Sequence, residues 1–132
     1  MSQTNVEVVR RIFDAWNQGD FDAAWAACDS ELVIDRSRSL VDSRIYRGTE
    51  EVEQFWSDWR DTWESTRWEI DEYIEAGDDV VVLGRFFGRG AESGVAVEAN
   101  VTQVMTVRNG KLVRGVLFQS RSDALEAAGL RG

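Results

Sequence analysis

The spacing of apolar residues predicts helices in the first half of the chain and long strands in the second. Residues 5–18 carry one apolar stripe at the period of an amphipathic helix, made of Val6, Val9, Ile12, Phe13 and Trp16. Residues 21–28 and 49–63 repeat this spacing, and a short apolar run at 32–34 lies between them. Asn5 and Asp20 are suitable N-cap residues for the first two helices, and Thr49 begins the third.

The second half predicts a four-strand antiparallel meander. Alternating segments cover residues 67–76, 80–89, 95–108 and 111–121, and a short helical turn follows at 123–128. The last two strands meet at Asn109-Gly110, a pair that tolerates positive φ and suits a two-residue type I′ turn. Such a turn predicts that Thr102 pairs with Leu117 and Asn100 with Gln119.

The two faces of this hairpin both mix apolar and polar residues. This mixture predicts that one face is the wall of a cavity and that the other is a packing or dimer surface. Together with the helices, the pattern predicts an α+β fold in which three N-terminal helices pack on a curved antiparallel sheet. A chain of 132 residues is expected to form this as a single domain spanning 1–132.

Composition narrows the classes of function. The formal charge of -9 argues against binding to nucleic acid or to anionic membranes. The chain has no histidine, which excludes imidazole-based triads and the usual zinc or iron sites and leaves only carboxylate-bound ions such as magnesium. We assign no such site, and we expect no cofactor. A single cysteine, no apolar signal region and no membrane-length apolar run predict a cytoplasmic protein.

Several segments resemble the SnoaL-like branch of the nuclear-transport-factor-two-like (NTF2-like) superfamily. They are residues 9–20, 46–48, 76–78, 109–111 and 124–130, so the resemblance extends over nearly the whole chain. It implies a cone-shaped α+β fold, frequent homodimers, and a concave sheet face that carries Thr102, Leu117 and Gln119. The superfamily includes polyketide cyclases, steroid isomerases, epoxide hydrolases and dehydratases.

The catalytic residues of these relatives are mostly missing here. Steroid isomerases place a tyrosine on the first helix, where this chain has Ile12, and an acid in the penultimate strand, where residues 99–108 have none. Polyketide cyclases place an acid on the last strand, where this chain has Leu117 and Gln119. The acid that follows the first short strand is matched by Asp35, so the resemblance leaves Asp35 as the candidate catalytic residue.

The expected site is an aromatic cavity with a few polar groups. Asp35 would be a general base of raised pKa, and Asn100 or Gln119 would polarise a substrate carbonyl. The expected substrate-binding residues are Trp16, Tyr46, Trp59, Trp63, Asn100, Thr102, Leu117 and Gln119. Asp35 could equally cap a loop, the aromatic residues could be core, and the two amides could satisfy each other.

Three hypotheses remain open from the sequence. The first is a cofactor-free enzyme of cyclase, isomerase or dehydratase type that acts on a small hydrophobic molecule by acid/base chemistry. The second is a pocket that binds such a molecule without converting it. The third is an interaction module whose exposed sheet face, around Met105, Val116 and Phe118, pairs with another chain, in one form as a homodimer.

Overall fold

The computed structural model describes residues 4–39 and 42–130, and these form helices packed on one curved sheet. The elements are α1 (Asn5–Asn17), α2 (Phe21–Ala26), β1 (Cys28–Asp35), β2 (Ile45–Arg47), α3 (Gly48–Thr62), β3 (Trp63–Ala76), β4 (Asp79–Gly90), β5 (Ala96–Arg108), β6 (Lys111–Leu117) and α4 (Arg121–Ala127). The α+β class expected from the sequence is confirmed. The last element, expected as a helical turn, is a short fourth helix of the described chain.

The strands follow the order β2-β1-β6-β5-β4-β3 across the sheet. The predicted meander is present, because β3, β4, β5 and β6 pair antiparallel in sequence. One pair of the curved sheet departs from the antiparallel arrangement, since β1 pairs parallel with β6. This parallel pair is possible because α3 and four strands separate β1 from β6 in sequence, which provides the long connection that parallel neighbours need.

The hairpin between β5 and β6 contains a bulge that the sequence did not reveal. Its turn is as predicted, with φ of 53° at Asn109 and 74° at Gly110. Val107 pairs with Leu112, but the next pair joins Thr106 to Arg114, so Val113 is an extra residue in β6.

The bulge shifts every later pair by one residue. Leu117 pairs with Gln103, so the predicted pairing of Thr102 with Leu117 is wrong. Because side chains alternate between faces, Gln103 and Leu117 share the concave face, and Thr102 faces the opposite side.

The sheet packs on both faces. Helices α1, α2 and α3 cover the concave face in the larger core, where Val9, Phe13, Leu32, Val52 and Met105 are buried. On the convex face, α4 buries Ala124 and Leu125 against Val81, Leu83 and Val104. The predicted exposed face around Met105, Val116 and Phe118 is therefore absent from the described chain. Met105 is in the concave core, Val116 is buried, and Phe118 packs beside α4.

The helix starts follow local hydrogen bonding. Thr4 caps α1 by accepting from the amide of Glu7, one residue before the predicted Asn5, and Asp20 caps α2 as predicted. The start of α3 has no side-chain cap of this kind, but Glu51 accepts from the amide of Arg47. No helix in the described part of the chain is long and apolar enough to cross a membrane.

Candidate binding site

A cavity of about 510 Å³ lies between the helices and the concave face of the sheet. Its floor is formed by Ile34 of β1, Gln103 and Met105 of β5, and Gly115 and Leu117 of β6. The bulge at Val113 brings these β5 and β6 residues to one face. The walls are aromatic, and the described lining residues include Trp16, Phe21, Phe55, Trp56, Trp59, Trp63 and Trp68.

Trp59 is at the centre of the aromatic wall. It lies on α3, and its ring centroid is 5.6 Å from that of Trp63, 6.3 Å from Trp68 and 5.3 Å from Phe86. Trp16 of α1 meets Trp56 edge to face at 5.1 Å. These spacings are those of favourable aromatic pairs, so the rings support one another and also leave faces for a ligand.

Asn17 holds the wall to the edge of the sheet. β3 is an edge strand, so part of its backbone has no strand partner. The Asn17 side chain accepts from the Trp68 amide and donates to the Trp68 carbonyl, both at 2.8 Å. This paired contact satisfies the strand backbone and fixes Trp68 against the cavity.

Arg36 brings a cation into this aromatic surrounding. Its guanidinium carbon lies 5.2 Å from the centroid of Phe55 and 5.9 Å from that of Trp59, within the range of cation–π contacts. Its Nε donates to the carbonyl of Asp42 at 3.3 Å. Burial lowers the pKa of Arg36, with the charges of Asp42 and Tyr46 opposing that shift. An arginine nevertheless remains protonated at neutral pH.

Gln103 is a buried polar side chain that faces the cavity. It is 8% exposed, and its Cα pairs with that of Leu117 on the same floor. Within residues 4–39 and 42–130, no side-chain hydrogen bond joins its amide to another residue. A buried amide normally has a partner, so a donor and an acceptor are available here to a molecule in the cavity.

Asp35 lies outside the cavity. Its neighbour Ile34 is on the floor, so the alternation of β1 turns Asp35 to the convex side, where its side chain is 8% exposed. It accepts from the amide and hydroxyl of Ser37 at 2.9 and 2.6 Å and from Arg114 at 3.4 Å. Burial alone would raise the pKa of Asp35, but these hydrogen bonds outweigh it and hold the pKa below its usual value.

Four more of the expected binding residues are not among those lining the cavity. Tyr46 stacks on Phe55 at 4.6 Å, and its hydroxyl donates to Asp42, so it lies behind the cavity wall. Thr102 is buried on the convex side, Asn100 is exposed, and Gln119 is exposed with its amide donating to the Arg38 carbonyl. The structure therefore does not bring Asp35, Asn100 and Gln119 together.

The structure does bring together Trp16, Trp59, Trp63 and Leu117 at the cavity. Sequence reasoning missed Arg36 and Gln103. Arg36 could have been predicted as a cavity residue from the sequence. It is two residues after the inward-facing Ile34, so in an extended chain its side chain points to the same face. Gln103 could not have been found without knowledge of the bulge.

The lining has little acid/base chemistry of its own. Among the described residues, Glu64 contributes the carboxylate of the lining, and Arg36 and Arg60 contribute cations. The described chain contains no group of three or more cysteine, aspartate and glutamate residues that could hold a metal ion. The arrangement suits the binding of a flat apolar molecule with a polar end.

Comparisons with known proteins agree with this architecture. The model of the SnoaL-like domain family matches residues 9–115. A search of curated proteins found no match. An NTF2-like protein of unknown function from Burkholderia pseudomallei K96243 is 21% identical with a TM-score of 0.77, over 95% of this chain and 97% of the other.

Two further solved structures have the same fold. A candidate SnoaL-like polyketide cyclase from Jannaschia sp. CCS1 is 20% identical with a TM-score of 0.75, over 89% of this chain and 90% of the other. TerC, co-crystallised with polyporic acid, is 17% identical with a TM-score of 0.74, over 95% of this chain and 98% of the other. At these identities the likeness shows the NTF2-like fold.

Proposed function

Since the chain belongs to the family of SnoaL-like domains, we propose that its cavity binds a small, mainly aromatic or otherwise hydrophobic molecule. The observation that carries this proposal is the aromatic wall around Trp59, which forms a cavity large enough for a ligand rather than a filled core. Its volume of about 510 Å³ is within the usual range of small-molecule sites.

The comparison with TerC supports the same proposal. That protein shares the fold and was co-crystallised with polyporic acid, an organic molecule. In the present chain, the aromatic faces would supply most of the contact area, and Arg36 and Gln103 would orient the polar end of the ligand. Binding would therefore combine a large apolar contact with a few directional hydrogen bonds.

The first experiment is mass spectrometry on organic extracts of the purified protein, followed by thermal shift with the compounds found. A ligand at about a hundred times its Kd should stabilise the protein by about 2.7 kcal/mol, which raises the Tm by several degrees. The variant Leu117→Trp adds bulk at the cavity floor and should abolish this shift.

Val95→Trp is the matched control for the blocking variant. Val95 is 58% exposed and is not among the cavity residues, so a tryptophan there should leave the ligand-induced shift unchanged. Equal ligand shifts in Leu117→Trp and the unmodified protein would show that the ligand binds elsewhere. An empty extract and no shift with any flat hydrophobic compound would contradict the proposal.

Proton-transfer chemistry on the bound molecule is the second candidate function. One observation favours it: Glu64 lines the cavity, so a carboxylate is available to move a proton while Arg36 and Gln103 stabilise an enolate-like oxygen. With the compound found in the extract, Glu64→Gln should stop turnover without loss of binding. Asp35→Asn should leave turnover intact, and the reverse pattern would restore Asp35 as the general base.

A further inference from the structure

The floor of the cavity places two hydrogen-bond donors in one row across three strands. Asp35 pairs with Val116, so Arg36, the next residue, comes level with Leu117, and Leu117 pairs with Gln103. Neighbouring strands are about 4.8 Å apart, which puts the Arg36 and Gln103 backbones roughly 10 Å apart with Leu117 between them. Side chains from both ends of this row line the same cavity.

The charge of the lining differs in sign from that of the whole chain. The formal net charge is -9, yet the described lining carries two arginines and one glutamate. Of these arginines, Arg60 lies over the ring of Phe21 at 4.3 Å, on the helical side of the cavity. Arg36 lies over Phe55 and Trp59 and is level with the strand row that ends at Gln103.

We propose that the cavity selects planar aromatic molecules that carry an ionised oxygen, such as a carboxylate or an acidic enol, with that oxygen held between Arg36 and Gln103. This inference rests on the proposed binding function and names its ligand class. The ring system of the ligand would lie against Trp59 and its neighbours, and the anionic oxygen would point to the sheet.

The physical basis is the strength of a hydrogen bond and of a charge attraction formed inside a mainly aromatic cavity. Gln103 is 8% exposed, lines the cavity and has no side-chain hydrogen bond within the described chain, so its amide would donate to a ligand oxygen. A guanidinium in a mainly aromatic surrounding attracts an anion more strongly than one in water, because the local dielectric constant is lower. A neutral ligand of the same shape would gain the stacking contacts but not this attraction.

The test compares two probes of nearly equal shape, 2-naphthoate and 2-naphthamide, by isothermal titration calorimetry at neutral pH. The naphthoate is an anion and the naphthamide is neutral. The unmodified protein should bind the naphthoate at least about tenfold more tightly, which is the usual effect of one charge-assisted hydrogen bond.

Arg36→Met should remove this preference, because methionine keeps an apolar side chain but has no charge. Naphthoate binding should weaken about tenfold or more, while naphthamide binding changes less than about threefold. Arg60→Met is the matched control: it removes the same charge from the same cavity, and the preference for naphthoate should persist. Arg36→Lys, which keeps the charge without the planar fork, should restore part of the preference.

Gln103→Met tests the other end of the row independently. It should weaken naphthoate binding by roughly threefold to tenfold, as expected for one neutral hydrogen-bond donor. Unchanged naphthoate binding in Gln103→Met would remove Gln103 from the site. Thermal melting of every variant without probe should show a folded protein. If Arg36→Met unfolds, the comparison uses Arg36→Lys and Gln103→Met, and if Gln103→Met unfolds, it uses Arg36→Met.

The outcomes separate this inference from the proposed function. If both probes bind equally well, or if Arg60→Met abolishes the preference as fully as Arg36→Met, the aromatic cavity stands and the selection of an anion by Arg36 is overturned. If neither probe binds and flat hydrophobic compounds give no thermal shift, the proposed function fails, and the ligand class fails with it.

Discussion

Asp35 is the residue whose replacement best distinguishes a structural role from a catalytic one. The sequence offered it as a general base, but the structure places it on the convex side of β1, buried and held by Ser37 and Arg114. We therefore predict that Asp35→Asn destabilises the protein and leaves ligand binding unchanged. An asparagine keeps one acceptor oxygen but loses the negative charge that these donors contact.

The magnitude follows from the contacts. Hydrogen bonds to a charged group contribute about 1.5–3 kcal/mol each, and the retained amide oxygen should keep part of the Ser37 interaction. The Arg114 contact is longer, at 3.4 Å, and Arg114 is 53% exposed, so it should add little. We expect a total loss of about 1.5–3 kcal/mol in the free energy of unfolding, or roughly 5–12 °C in Tm for a chain of this size.

The dependence on pH has a definite sign. The folded pKa of Asp35 is lowered, so its contribution to stability is present above its unfolded pKa of about 3.9 and is lost as the pH falls through the folded value. Urea denaturation at neutral pH should therefore show the full difference between Asp35→Asn and the unmodified protein. That difference should shrink below about pH 4.

Asp78→Asn is the control for this measurement. Its ion pair with Arg108 is 3.7 Å long, and both side chains are 66% exposed, so the variant should change stability by about 0.5 kcal/mol or less. The reasoning would be refuted if Asp35→Asn were as stable as the unmodified protein at neutral pH. It would also be refuted if that variant kept its stability and lost ligand binding.

Three other predictions test separate parts of the molecule. Gly84→Ala should lower the free energy of unfolding, measured by urea denaturation, by about 2–3 kcal/mol. A Cβ at this position would meet the Glu69 carbonyl and lie 2.7 Å from the Ile70 Cα, and the strand backbone cannot easily move away. A loss below about 0.5 kcal/mol would contradict this. Burial raises the pKa of Cys28 to about 12, so a disulfide reagent at pH 8 should react at least a hundredfold more slowly with the folded protein than with the protein in urea. Light scattering should show the homodimer that the family resemblance implies, formed through a surface other than the face around Met105 and Val116, which is buried here. A monomer at high concentration would argue against it.

The sequence was sufficient for the fold because the fold depends on long periodic signals. The apolar stripes of α1 and α3 and the Asn109-Gly110 turn each arise from local spacing, and the structure contains all of them. The aromatic side of the site was also predictable, since Trp59 and Trp63 lie on the apolar face of α3 or at its end. An apolar helix face packs against the sheet regardless of which sheet residues complete the cavity.

The polar side of the site depends on single residues rather than on periodicity. In β1 the side chain of Asp35 points to the face opposite that of Ile34. An acid that follows an apolar run in sequence therefore does not have to face the cavity. Its position in sequence made Asp35 a plausible catalytic residue, but alternation along the strand places Arg36 in the cavity instead. The resemblance to steroid isomerases pointed to the end of β1. There the residue that contacts the cavity is Arg36 rather than its neighbour Asp35.

The bulge at Val113 has the larger effect, because one inserted residue exchanges the two faces of β5 relative to β6. Without it, Thr102 would stand beside Leu117, and the floor would offer a small hydroxyl. With it, Gln103 stands there, and its longer amide extends into a cavity that also contains a guanidinium. A bulge changes no composition and almost no hydropathy, so a sequence pattern gives little sign of it. In this fold the choice of polar group at the cavity floor is therefore controlled by hairpin register as much as by residue type.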